Sequence, residues 1–69
     1  MITRVGDMYL DVAKIDFLGE IYTHPEYGYC FDVHIWGRWK KITFLSLQEC
    51  VSDMEKIITI LKDLHLIVE

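Results

Sequence analysis

Five side chains in this 69-residue chain could bind a soft metal: His24, Cys30, His34, Cys50 and His65. None of them falls into a CxxC, HxxxH or HExxH interval, the spacings that bring two ligands to one ion. Cys30 and His34 are four residues apart on what reads as one strand, about 13 Å by rise per residue. That is too far for both to reach one zinc. The expectation is a half-buried Cys30, solvated histidines and no metal. Asp32, His34 and Lys41 offer acid–base groups. However, no serine sits in a nucleophile elbow and no glycine-rich phosphate loop precedes a helix. A chain this short also lacks the walls of a water-excluding pocket. No catalytic residue and no cofactor is expected, and the protein is not expected to be an enzyme.

The aromatic residues say more. Trp36 and Trp39 flank Gly37-Arg38, and His34, Lys41 and Tyr22 fall near them when the chain is laid out as strands. Trp, Tyr and Arg are the residue types that dominate binding hot spots. Trp36, Trp39, Arg38, Lys41, His34 and Tyr22 are therefore the candidate binding residues. Two readings compete. The tryptophans stack across the strand ends and stabilise a hairpin, or they mark an interface. A nucleic-acid variant stacks single-stranded bases on the rings and places Arg38, Lys40 and Lys41 on the backbone. A net charge of −4 weighs against it, because phosphate neutralisation supplies most of such affinity. Glu26 with Tyr27-Gly28-Tyr29 is a second candidate contact site. Alternatively, Tyr29 belongs to the core and Tyr27 covers a sheet edge.

The elements that must hold these residues are legible from periodicity and turn chemistry. Val5-Gly6-Asp7-Met8 and Trp36-Gly37-Arg38-Trp39 each put Gly first in a two-residue loop, the signature of a type II′ hairpin. The first joins Ile2–Val5 to residues 8–10, and Asp11 then caps a single helical turn at Val12-Ala13-Lys14. With the second loop at Gly37-Arg38, Trp36 pairs with Trp39, His34 with Lys41, Phe31 with Phe44 and Val33 with Ile42. One face is then apolar. The other is mixed and carries Leu18, Tyr22, Cys30, Leu45 and the tryptophans. Ile15, Phe17 and Ile21 alternate inward along a strand over residues 15–22, where Gly19 marks a bulge or a close backbone approach. Residues 23–28, with Pro25, form the following loop. From Ser46 the period changes. Ser46-Leu47-Gln48-Glu49 is a capping box, with Ser52-Asp53-Met54-Glu55 as an alternative start. Leu47, Cys50, Val51, Met54, Ile57, Ile58, Leu61 and Leu64 make an apolar stripe. A helix over 47–64, about 27 Å long, matches strands of about 23 Å.

The fold expected is α+β: a small antiparallel sheet of four or five strands, a meander of hairpins, with one C-terminal helix across one face, all in a single domain over residues 1–69. Apolar residues make up 52%, which excludes disorder and leaves enough for an exposed patch. No apolar run reaches the ~20 residues of a membrane span. The N-terminal residues show no signal peptide, and Leu66-Ile67-Val68-Glu69 is no prenylation box. Two unclustered cysteines fit reduced thiols and a cytoplasmic location, with a single bridge as the alternative. The order of short strands and a final helix resembles small proteins of phages and other mobile elements, and small motility-associated bacterial proteins, in size and element order. The function expected is a protein-binding module, a small regulator or inhibitor docking its aromatic face on a larger protein or on its own copy. The alternatives are a single-strand nucleic-acid binder and a structural homodimer.

Overall fold

The computed structural model describes residues 2–64. Strands β1 (Ile2–Val5) and β2 (Met8–Asp11) lead into a 3-10 turn (Val12–Lys14). Strands β3 (Ile15–Leu18), β4 (Tyr22–His24), β5 (Gly28–Ile35) and β6 (Arg38–Phe44) follow, and helix α1 (Leu47–Asp63) comes last. The architecture is α+β with antiparallel pairing throughout, as the alternation and the change of period require. Among the described residues no helix is long and apolar enough to cross a membrane.

Local chemistry sets the ends of these elements. Gly6 has φ +59 in the β1–β2 turn, the left-handed value that the first loop position of a type II′ turn needs. The Asp11 carboxylate accepts from Ala13 N at 3.3 Å and caps the 3-10 turn. Ser46 Oγ accepts from Glu49 N at 3.2 Å, so the helix starts at the first of the two capping boxes. The buried stripe of α1 is narrower than the apolar residues suggest: Cys50, Ile57 and Leu61 are buried, whereas Leu47, Val51 and Leu64 are exposed.

The main sheet is built around β5. β6 pairs along one of its edges, while β3 and β4 lie end to end along the other. The strand expected over residues 15–22 is thus broken in two, which raises the strand count to six. Two extra residues account for the break. Ile15 faces Ile35 and Phe17 faces His34, so Asp16 is one residue too many. Leu18 faces Val33 and Tyr22 faces Cys30, so Gly19, Glu20 and Ile21 span only Asp32 and Phe31. Each extra residue reverses the faces of those after it, and the second undoes the first. Phe17 therefore points out and Leu18 in, opposite to the simple alternation. Gly19 N still donates to Asp32 O at 2.8 Å. A Cβ at Gly19 would stand 3.1 Å from that same oxygen, hence the glycine. The loop shrinks to residues 25–27, because Thr23 and His24 pair with Tyr29 and Gly28.

The second hairpin also differs from expectation. Ile35 pairs with Arg38, so the loop is Trp36-Gly37, not Gly37-Arg38. Both loop residues have positive φ, +54 and +78, the type I′ form. Every pair slides by two residues: Phe31 faces Ile42, Tyr29 faces Phe44, His34 faces Trp39 and Asp32 faces Lys41. A slide of two keeps each side chain on its face, so the apolar face is the one read from the pattern. In place of a Trp36–Trp39 pair, the slide puts the Asp32 and Lys41 charges directly opposite each other, which favours it.

The β1–β2 hairpin forms its own two-stranded sheet and does not extend the meander. Its turn rests on the inner face of β6, where a Cβ on Gly6 would meet Ile42 Cγ2 at 2.8 Å and the Phe44 ring at 3.3 Å. Two polar contacts tie it to α1: Gly6 N donates to Asp53 Oδ2 at 2.7 Å, and Lys56 Nζ donates to Arg4 O at 2.7 Å. Hairpin, sheet and helix share one core of Val5, Leu10, Val12, Phe31, Val33, Ile35, Ile42, Phe44, Cys50, Ile57 and Leu61.

Candidate functional site

The outer face of the main sheet, away from α1, is organised in rows across the strands. In the first row Phe17, His34 and Trp39 are successive cross-strand partners. Their rings touch: Phe17 to His34 at 5.7 Å and His34 to Trp39 at 5.2 Å, both edge-on, and Phe17 to Trp39 at 6.5 Å, stacked. Asp16, the first bulge residue, reaches His34 Nδ1 with its carboxylate at 3.2 Å. The imidazole is held on one side by a charge and on two others by rings. Phe17 remains 64% exposed and Trp39 57%. The row is a preformed aromatic surface open to solvent.

The next rows are polar, then buried. Tyr22 OH donates to both Asp32 carboxylate oxygens at 3.2 and 3.3 Å. The Cys30 thiol, the Asp32 carboxylate and partial loss of solvent hold the Tyr22 phenol above its ordinary range, the thiol contributing most. Cys30 is fully buried, more than expected, and its thiol donates to Tyr22 O at 3.7 Å. Lys41 Nζ lies 5.5 Å from the Tyr27 ring, which stacks on His24 at 4.6 Å. Such ammonium–ring contacts are favourable but modest at the surface.

The six candidate binding residues do not all converge. Trp39, His34, Lys41 and Tyr22 share the outer face. Trp36 sits in the turn, with Lys40 Nζ 5.9 Å from its ring, and makes no stack with Trp39. Arg38 pairs with Ile35 and belongs by alternation to the inner side, so it cannot serve the outer face. Phe17 and Asp16 were missed. Their only sequence signal is the run of alternating residues around them, which does not reveal where a bulge falls.

Among the described residues no three His, Cys, Asp or Glu side chains gather in a group that could hold a metal ion, and His65 lies outside those residues. Cys30 and Cys50 are buried and unbridged. A cleft of about 840 Å³ opens between the β1–β2 turn and the first turns of α1. Four of the lining residues bond to one another: Asp53 to Gly6 and Lys56, Lys56 to Arg4 O, and Arg4 Nε to Gly6 O. The end of β6, Thr43 and Phe44, and the following Leu45 also line it, so it lies where hairpin, helix and sheet meet. No protein-family model, curated protein or solved structure matches the chain.

Proposed function

We infer that this protein is a non-enzymatic binding module of the cytoplasm, a small regulator or inhibitor of the phage or mobile-element kind, that docks its outer sheet face on a larger protein. One observation carries the reading. Phe17 and Trp39 expose most of their rings while His34 and Asp16 hold the row in place. Rigid, exposed aromatics lose little freedom on binding and bury much area, as hot-spot residues do. Tyr22 and Lys41 extend the surface, and Trp36 is a separate exposed ring in the adjoining turn.

The single-strand nucleic-acid reading draws less support. Asp16 and Asp32 put two carboxylates on the face bearing the rings, and Arg38 is on the other side. Lys41 is the cation left there, and it faces Asp32.

The test is capture from host extract on immobilised wild type and on a Phe17→Thr/Trp39→Thr variant, compared by quantitative mass spectrometry. Thr suits a strand surface, so the variant should keep its circular dichroism and lose about 1 kcal/mol of stability. A partner held by the row should bind the variant at least about thirtyfold more weakly, the loss expected of a true hot spot. Equal retention of every captured protein by both forms would remove the row from the interface. A nucleic-acid complex would instead weaken steeply with salt, with a log–log slope near −0.7 per phosphate.

A further inference from the structure

The backbone of β6 is satisfied on one side only. Among the described residues β6 pairs with β5 and with no other strand. The Trp36-Gly37 turn shows which groups are left over. In a two-residue turn the flanking pair, Ile35 and Arg38, bonds across the hairpin, and bonded pairs then alternate with unbonded ones. Arg38, Lys40, Ile42 and Phe44 thus turn their N–H and C=O groups toward β5, while Trp39, Lys41 and Thr43 turn theirs to the free edge. Two contacts agree with this phase. A Cβ on Gly28 would meet Phe44 O at 2.9 Å on the β5 side, and Asp32, opposite Lys41, sends its carbonyl away from β6 to Gly19 N. A seven-residue edge with a row of open donors and acceptors calls for a strand.

We propose that this edge pairs antiparallel with the same edge of a second copy, about a twofold axis at Ile42, joining the two main sheets into one. The charges select this register. An axis at Lys40 or at Lys41 would put two identical ammonium groups directly opposite each other, which destabilises a strand pair. An axis at Ile42 places Ile42 against Ile42, Lys41 against Thr43 and Trp39 against the Leu45 of the second copy. An axis at Thr43 also avoids like charges but shortens the pairing by two residues and leaves Trp39 outside it. The Ile42 register also covers Leu45, which is 95% exposed just beyond β6. The row Phe17–His34–Trp39 then continues across the junction onto that leucine. The lysines that protect this edge against arbitrary partners are compatible with this one.

The interface is of the small class, so association should be weak and concentration-dependent. Sedimentation velocity from about 5 to about 500 µM should show the mass moving from monomer toward dimer, a span suited to small interfaces. A constant monomer mass across it would overturn the proposal and leave the edge to a strand of another protein. Thr43→Pro removes an N–H that faces the free edge and none that bonds to β5, a placement proline tolerates in edge strands. This variant should keep the wild-type circular dichroism and dimerise at least about tenfold more weakly; unchanged dimerisation would overturn the proposal.

Cysteine pairs fix the register without a proline. Directly opposed residues have Cα atoms about 5.5 Å apart, within disulfide reach, and the native Cys30 and Cys50 are too buried to compete. Lys41→Cys mixed with Thr43→Cys should give a covalent heterodimer under mild oxidation, well above the yield of Lys41→Cys alone. The reverse order of yields would place the axis at Lys41 and overturn this pairing. Dimerisation should also survive Phe17→Thr, which distinguishes it from docking through the aromatic row.

Discussion

Trp36 is the only non-glycine described residue with positive φ, and the position is costly for it. A side chain with a Cβ in the left-handed region gives up roughly 1–2 kcal/mol, and type I′ turns favour Asn-Gly for that reason. Here a tryptophan occupies the first loop position, 58% exposed, with the Lys40 ammonium 5.9 Å from its ring. Strain at an exposed aromatic residue is a pointer to use. Trp36→Asn should raise the unfolding free energy by about 1 kcal/mol, read from urea denaturation. If Trp36 belongs to the docking surface, the same variant should bind its partner less tightly. Stability and binding would then move in opposite directions. A less stable Asn variant would mean that the ring–ammonium contact outweighs the backbone strain.

Directed polar contacts join the β1–β2 hairpin to α1. Asp53 accepts the Gly6 amide at 2.7 Å, and its other oxygen lies 3.5 Å from Lys56 Nζ, which itself donates to Arg4 O. A two-stranded hairpin alone is marginal in water, so β1 and β2 depend on this joint and on Val5 and Leu10 in the core. Asp53→Ala leaves the half-buried Gly6 N–H without its acceptor, which costs about 1–3 kcal/mol. Asp53→Asn keeps an oxygen for that amide and should lose much less. Hydrogen exchange at the Gly6 amide is the direct measurement: fast in the alanine variant, slow in wild type and in the asparagine variant. Equal exchange in all three would show that apolar packing alone seats the hairpin.

The buried Cys50 thiol bears on how the whole molecule responds to alkali. Cys50 is held above its ordinary range, first by burial, then by Cys30 and Asp53. In the unfolded chain the thiol ionises at its ordinary value of about 8.5–9, while in the folded protein it stays protonated to higher pH. Its contribution to stability is therefore complete below that ordinary value and is lost as pH climbs through the raised one. The raised Tyr22 phenol acts in the same direction. The melting temperature should fall as pH increases above about 9. Thiol reagents at neutral pH should modify Cys30 and Cys50 only as fast as the chain opens, measurable by the rate of absorbance change with and without urea. Rapid labelling of the native protein would contradict their burial.

Much of this architecture could be read from local chemistry. Ser46 with Glu49 marks the helix start, Gly6 the first turn and Asp11 the short cap, because each depends on a handful of adjacent atoms. Strict alternation in β5 and β6 assigns Phe31, Val33, Ile35, Ile42 and Phe44 to the core, and the structure buries all five. Alternation carries only parity, however. A slide of two residues leaves every face unchanged, so the pattern cannot tell a Trp36-Gly37 loop from a Gly37-Arg38 loop. That choice is made by partners across the strands, Asp32 with Lys41 and His34 with Trp39. The bulges at Asp16 and around Glu20 likewise depend on where β3 and β4 meet β5. They turn Phe17 outward and complete the aromatic row. The sequence alone determined the hairpins, the helix, the faces of β5 and β6 and the presence of exposed aromatics. Only the tertiary structure decided which rings stand together, because register and bulge position depend on contacts between residues distant in the chain.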